Sequence, residues 1–249
     1  MSNFKLYSQY YDLLYKDKDY ESEAWYVIKL AQRYKNNSTK FLELGCGTGN
    51  HAAILCNKSF EVVGLERSAE MVKIASQKNI ANFKPIVADI TNFSLNEKFD
   101  VAVSLFHVIS YLTTNDELLK CLNTVNEHLN ENGVFIFDVW YSPAVYIQKP
   151  ETRVKRINNE NIAVTRIAES TMHYQKNVVD VNYSIFIQDK ETAKTEIHQE
   201  LHPMRHFSIP EIEFLAMQTN FKLIHTEEFG TGNSPNENTW GVCFVLRKK

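Results

Sequence analysis

The stretch Phe41-Leu42-Glu43-Leu44-Gly45-Cys46-Gly47-Thr48-Gly49 limits what this chain can fold into more than any other. A short apolar strand runs into three glycines at alternate positions, a pattern that lets a backbone turn approach a ligand closely. Glu66 ends the next apolar run, 23 positions after Glu43, where a nucleotide-binding α/β unit places a carboxylate on a ribose. A nucleoside cofactor follows from these two features. The spacing excludes two common versions of such a site. A dinucleotide fingerprint needs glycine three positions after Gly47, where this chain has Asn50, and a P-loop needs Lys followed by Ser or Thr, which the loop lacks.

Glu43-x-Gly-x-Gly-x-Gly resembles the first motif of the class I S-adenosylmethionine-dependent methyltransferases. The resemblance implies that Glu43 engages the amino-acid end of S-adenosylmethionine and that Gly45, Gly47 and Gly49 admit it. Glu66 is the candidate for accepting from both ribose hydroxyls. Asp89, at the tip of the apolar run 83–88, is placed to accept from an adenine amino group, with Ile90 offering a backbone donor and an apolar edge. That pair resembles the family's adenine-recognition motif. Met71 occupies the place where related enzymes cover the adenine, and Ser104, within the next strand, completes the cofactor set.

Composition narrows the partners. With 27 basic and 30 acidic side chains mixed along 249 residues, the formal net charge is -3, so no polyanion-binding face is advertised and no nucleic acid is expected. The start, Met1-Ser2-Asn3-Phe4-Lys5, does not read as a signal peptide, and no uncharged apolar run is long enough to span a bilayer. Cys46, Cys56, Cys121 and Cys243 are scattered without Cys-x-x-Cys spacing. Structural thiols, a reducing cytoplasmic compartment and no metal are therefore expected.

Periodicity supplies the architecture. Apolar strands at 41–44, 61–66, 83–88, 99–106 and 134–139 alternate with amphipathic helical spacing, which reads as five strand-helix alternations of a doubly wound parallel α/β sheet. Thr114-Asn115-Asp116-Glu117 supplies a capping box for the helix that Gly133 is read to end, and Ser208 with Glu211 supplies another. Residues 153–201 switch to alternating apolar and polar positions, read as an inserted antiparallel sheet. The resemblance implies that strands near 222–229 and 240–246 complete a seven-stranded Rossmann-like methyltransferase sheet, the last one antiparallel. The expected divisions are an aromatic helical cap over 1–35, a cofactor-binding core over 36–150, an inserted β subdomain over 151–207 and a closing segment over 208–249.

The methyl acceptor should approach beyond the carboxyl ends of the strands. His107, just past the fourth strand, is the candidate general base, because neutral imidazole can take a proton near neutral pH. Asp138, Trp140 and Tyr141 fall at the same edge, with Ser110 and Tyr111 beside His107. Tyr11 and Tyr15 lie in a tyrosine-rich stretch that could form a lid, and this stretch resembles the N-terminal cap of bacterial deoxyaminosugar N-methyltransferases. Arg205 and His206, just before the last helix, could reach an acceptor or its phosphate. His51, early in the first core helix, could flank the cofactor pocket, with a solvated position the stronger expectation. The reading is methyl transfer to a small polar acceptor, such as the amine of a nucleotide-linked aminosugar. The alternatives are a small-molecule O-methyltransferase and a non-catalytic cofactor-binding protein. The inserted sheet could close a pocket within one subunit or present an edge to a second copy in a homodimer.

Overall fold

Strands with almost no charge must be covered on both faces, and this requirement organises the larger part of the chain. A computed structural model describes residues 13–16 and 18–249. Its contacts divide it into two units, one made of residues up to Asp19 together with Lys149–Met204, the other of Tyr20–Gln148 and Arg205–Lys249.

The larger unit contains the sheet read from the sequence. Strands β1 (Lys40–Leu44), β2 (Glu61–Glu66), β3 (Phe83–Val87), β4 (Phe99–Ser104) and β5 (Leu129–Tyr141) are parallel in the order β3-β2-β1-β4-β5. Beyond β5, β11 (Gly241–Lys248) pairs antiparallel with both β5 and β10 (Phe221–Glu228), which completes seven strands. Period-two alternation sorts the side chains. Leu42, Leu44, Phe135, Phe137 and Val139 face one core layer, with α4 (Asn115–His128) and α6 (Ile209–Gln218). Phe41, Val101, Val103, Val134 and Ile136 face the other, with α1 (Tyr20–Tyr34) and α2 (Asn50–Asn57). Glu43 and Asp138 share the parity of this second layer, and both are buried.

Local signals set most helix ends. Ser68 caps α3 (Ala69–Gln77) by accepting from the Met71 N–H at 3.3 Å, and Thr114 with Glu117 forms the reciprocal box at the start of α4. At α6, Ser208 accepts from the Glu211 N–H at 3.4 Å, but the Glu211 carboxylate turns to Arg205, so only half of that box forms. Two expectations are corrected. Residues 88–98, between β3 and β4, carry no helix. They lack a helical apolar face and are pinned individually, Phe93 by a tilted ring contact 4.5 Å from the His128 ring and Leu95 by donating its N–H to His128 Nε2 at 2.9 Å. Gly133 does not end α4, because Leu129 already adopts extended dihedrals and begins β5.

In the smaller unit, β6 (Arg153–Asn158), β7 (Ile162–His173) and β8 (Val178–Asp189) form an antiparallel meander, with β9 (Thr195–Phe207) next to β8. One face buries Ile162, Val164, Ile185 and Ile187 around Leu14, and Lys155 Nζ donates to the Leu14 carbonyl at 2.9 Å. The segment expected as one cap over 1–35 is thus divided. Leu14 and Tyr15 pack with the inserted sheet, whereas the amphipathic helix α1 has its apolar stripe in the core of the larger unit. The last residues of β9, His206 and Phe207, pair in parallel with Trp140 and Tyr141.

Candidate active site

The three glycines at the end of β1 all adopt left-handed φ values, 73° at Gly45, 53° at Gly47 and 79° at Gly49, a region that L side chains enter only with strain. Their surroundings differ. A Cβ on Gly45 would lie 2.6 Å from Val108 Cγ2, and one on Gly49 2.6 Å from Phe83 Cε1, so the protein itself excludes side chains there. A Cβ on Gly47 would meet nothing within 4 Å. Gly45 and Gly49 therefore let the loop pack, and Gly47 keeps its outer side open to a ligand.

Glu66 is tied to this loop by hydrogen bonds. Its Oε2 accepts from the Gly47 N–H at 3.2 Å and its Oε1 from the Ser68 N–H at 2.9 Å. A carboxylate has about four acceptor positions, so each oxygen keeps one for a hydroxyl pair. Asp89 follows β3, beside β2, and its Oδ1 accepts from the Thr91 N–H at 2.8 Å and the Thr91 hydroxyl at 2.7 Å. Those bonds hold its carboxyl below the usual range, hence ionised and oriented. Ile90 packs half-buried against the core, and Met71 is half-buried in the first turn of α3. Ser104 is fully buried and its hydroxyl donates to the Leu44 carbonyl at 3.3 Å, so it joins the ends of β1 and β4 rather than presenting that group to a cofactor.

Glu43 is 1% exposed, and its Oε2 has no hydrogen-bond partner among the described residues. Burial pushes its carboxyl up to about 7, against the downward pull of His51, while Glu66 adds to the rise. A buried acceptor left unsatisfied is costly, and a cationic ligand group is what it lacks. The loop thus fits S-adenosylmethionine in three places: an open glycine, a hydroxyl-accepting carboxylate and an unpartnered acceptor.

A second buried carboxylate lies on the same sheet face. Asp138, on β5, is 2% exposed; its Oδ1 accepts from the backbone N–H of His107 at 3.3 Å, and its Oδ2 lies 2.7 Å from His107 Nδ1 in an ion-pair contact off the line of a hydrogen bond. Phe106 and His107 are consecutive non-glycine residues in the left-handed region, at φ 67° and 60°. Such backbone persists only where its surroundings hold it, and here Asp138 grips both the main chain and the ring of His107. The imidazole stacks 6.1 Å from Phe106 and meets the edge of Trp140 at 6.3 Å, while Trp140 packs 5.6 Å from Trp240. Tyr111 lies under the Arg67 guanidinium at 5.8 Å.

Other candidates are placed elsewhere. Tyr141 projects to the face opposite Trp140 and packs on the core. Arg205 is buried, and its guanidinium donates to the Thr113 carbonyl at 3.3 Å and Asn115 Oδ1 at 2.8 Å and pairs with Glu211 at 2.5 Å; the expected reach toward an acceptor is corrected, because these partners use the planar fork. His206 is likewise buried, its Nδ1 2.8 Å from the Ser142 hydroxyl and its ring edge-on to Tyr146 at 4.9 Å. Burial, with a smaller push from Arg205, lowers it to about 4, which keeps it neutral near pH 7. Tyr15 packs within the smaller unit, and Tyr11 lies outside the described residues. His51 is also corrected, from solvated to buried, because Glu23 on α1 covers it. Glu23 and Trp240 were missed altogether, and neither carries a local signal in the sequence.

Comparison with known proteins agrees with this geometry. Residues 41–133 match the family model described as a methyltransferase domain. The dTDP-3-amino-3,6-dideoxy-alpha-D-glucopyranose N,N-dimethyltransferase of Streptomyces fradiae is 27% identical over 83% of this chain and 80% of its own length. The crystal structure of an S-adenosylmethionine-dependent methyltransferase from Clostridium acetobutylicum superposes with a TM-score of 0.83 at 22% identity, covering 98% of both chains. The sugar N-methyltransferase KedS8 from Streptoalloteichus superposes with a TM-score of 0.82 at 22% identity, over 96% of this chain and 92% of that one. Among the described residues, no helix is long and apolar enough to cross a membrane and no cluster of three metal-ligating side chains occurs. With its glycine loop, its seven-stranded sheet and a methyltransferase-domain match over residues 41–133, the chain is an S-adenosylmethionine-dependent methyltransferase that resembles the class I family.

Proposed function

We propose that this enzyme methylates the amine of a nucleotide-linked aminosugar, with His107 as the group that receives or orients the acceptor proton. The observation that carries the chemistry is the His107–Asp138 pair at the carboxyl ends of β4 and β5. The amine is supported by the names of relatives that dimethylate dTDP-linked aminosugars.

Glu43 would take the ammonium of the cofactor, Glu66 its ribose hydroxyls, and Asp89 with Ile90 and Met71 its adenine. When bound, S-adenosylmethionine supplies an electrophilic methyl group on a sulfonium. The chain's own contribution is alignment and proton handling. Asp138 turns Nδ1 of His107 inward, so Nε2 is the ring nitrogen left for the acceptor. As the acceptor nitrogen gains the methyl it must lose a proton, and Nε2 can take it, directly or through water. Phe106, Trp140 and Trp240 give this edge apolar walls that suit a deoxysugar ring.

Purified protein incubated with methyl-labelled S-adenosylmethionine and dTDP-aminosugars, beside their hydroxyl counterparts, should yield label on nitrogen by mass spectrometry. Label only on oxygen, or only on a molecule that is not a sugar, overturns the acceptor assignment and leaves the enzyme class standing.

A further inference from the structure

His51 sits between two carboxylates. Its Nε2 is 2.7 Å from Glu23 Oε2, its Nδ1 is 3.7 Å from Glu43 Oε1, and its ring is edge-on to Tyr20 at 4.9 Å. Glu23 and Tyr20 belong to α1, His51 to the first turn of α2, and Glu43 to the end of β1. The remaining titratable groups around Glu43 are Glu66 and the thiols of Cys46 and Cys56, both of which burial keeps protonated, Cys56 being pushed up to about 11. Among these groups, His51 is the base that faces Glu43.

The geometry fixes a tautomer. An ionised Glu23 can only accept, so the ring proton sits on Nε2, and Nδ1 carries a hydrogen only when the ring is cationic. A neutral ring would turn a lone pair toward Glu43, which is favourable only if Glu43 is protonated. Glu23 anchors the Nε2 side of the ring and so holds its Nδ1 side toward Glu43, where the His51 charge opposes the protonation of that carboxyl. A neutral Glu43 would be a poor partner for an ammonium group, whereas an ionised one is a strong one.

We infer that Glu23 and His51 are positioning residues that keep Glu43 ionised and oriented to receive the ammonium of the cofactor's amino-acid end. The inference rests on the proposed role of Glu43. It gives the helix α1 a task in cofactor affinity through a contact 28 residues away in sequence, with neither Glu23 nor His51 required to touch the ligand.

Calorimetric titration with S-adenosylhomocysteine, which keeps the amino-acid end, between pH 5.5 and 8.5 tests it. The wild-type affinity should fall on acidification as Glu43 takes up its proton. In His51→Gln the midpoint of that fall should move up by about one pH unit, since an opposite charge at this distance lowers a carboxyl by one unit or more, and Glu23→Gln, which loosens the hold on the ring, should move it in the same direction. Affinity at pH 6.5 should then drop about five- to tenfold, while the curves converge at pH 8.5, where Glu43 ionises unaided. 5′-Methylthioadenosine, which lacks the amino-acid end, should bind both variants as it binds the wild type. A loss of equal size at every pH, an unmoved midpoint, or a matching loss for 5′-methylthioadenosine overturns the inference. Glu43→Gln separates this from its premise: unchanged S-adenosylhomocysteine affinity in that variant overturns the role of Glu43 itself.

Discussion

Replacing Gly47 by alanine separates binding from folding at a single position. The backbone there has φ 53°, so an alanine costs about 1–2 kcal/mol of left-handed strain. No protein atom lies within 4 Å of the added methyl, so no clash adds to that cost. A melting-temperature drop of roughly 2–8 °C is expected for a chain of this size. The methyl does occupy the open side of the loop. If S-adenosylmethionine lies there, overpacking of about 1–3 kcal/mol should weaken its binding roughly five- to 150-fold. Gly49→Ala is the control, because its Cβ would lie 2.6 Å from Phe83 Cε1 and 3.2 Å from Cζ. Strain and overpacking together should cost it about 2–5 kcal/mol of stability. The assay is thermal unfolding of the ligand-free variants beside calorimetric titration of S-adenosylmethionine. Wild-type affinity in Gly47→Ala, or equal destabilisation of the two variants, refutes the reasoning.

Four further outcomes follow from the site. His107→Ala should lower kcat by about 10²-fold or more with cofactor affinity unchanged, and equal losses in both would exclude a role in proton handling. Asp138→Asn should lower kcat as well with cofactor affinity unchanged, because it removes the carboxylate that holds the main chain and faces the ring of His107; an unaltered kcat counts against that positioning role. His206, lowered to about 4 in the fold against 6.5 unfolded, binds fewer protons when folded, so its contribution is present at pH 7 and about 2 kcal/mol of it is lost by pH 5. Glu43, raised to about 7 against 4.5, binds more protons when folded and gains about 2 kcal/mol over the same acidification. The two offset each other in the ligand-free wild type, so Glu43→Gln should expose a loss of stability between pH 7 and 5; denaturant midpoints at both pH values measure it, and an unchanged pH dependence would contradict the assignment.

Much of the scaffold was legible because its signals are local. Continuous apolar runs at 61–66 and 134–139, the caps at Ser68 and Thr114, and the helical spacing of 118–129 each act within a few residues. The count of five strand-helix alternations is one too many, because the segment 88–98 has no apolar face with which to form a helix. Arg205 and His206 were misassigned for a related reason. A polar residue before a helix looks available in sequence, yet Glu211, Asn115 and Ser142 already take these two.

The sequence by itself determined the sheet, the glycine turn and a nucleoside site, because strand period, helix spacing and left-handed turn residues are written within short windows, and the resemblance of the glycine motif narrowed that site to S-adenosylmethionine. Only the tertiary structure decided which charges meet. Asp138 reaches His107 across 31 residues and Glu23 reaches His51 across 28. Such pairs are created when β5 is laid beside β4, and when α1 packs on α2. No local preference encodes them. Burial then gives each pair its strength, since a carboxylate removed from water must find a cation or a proton.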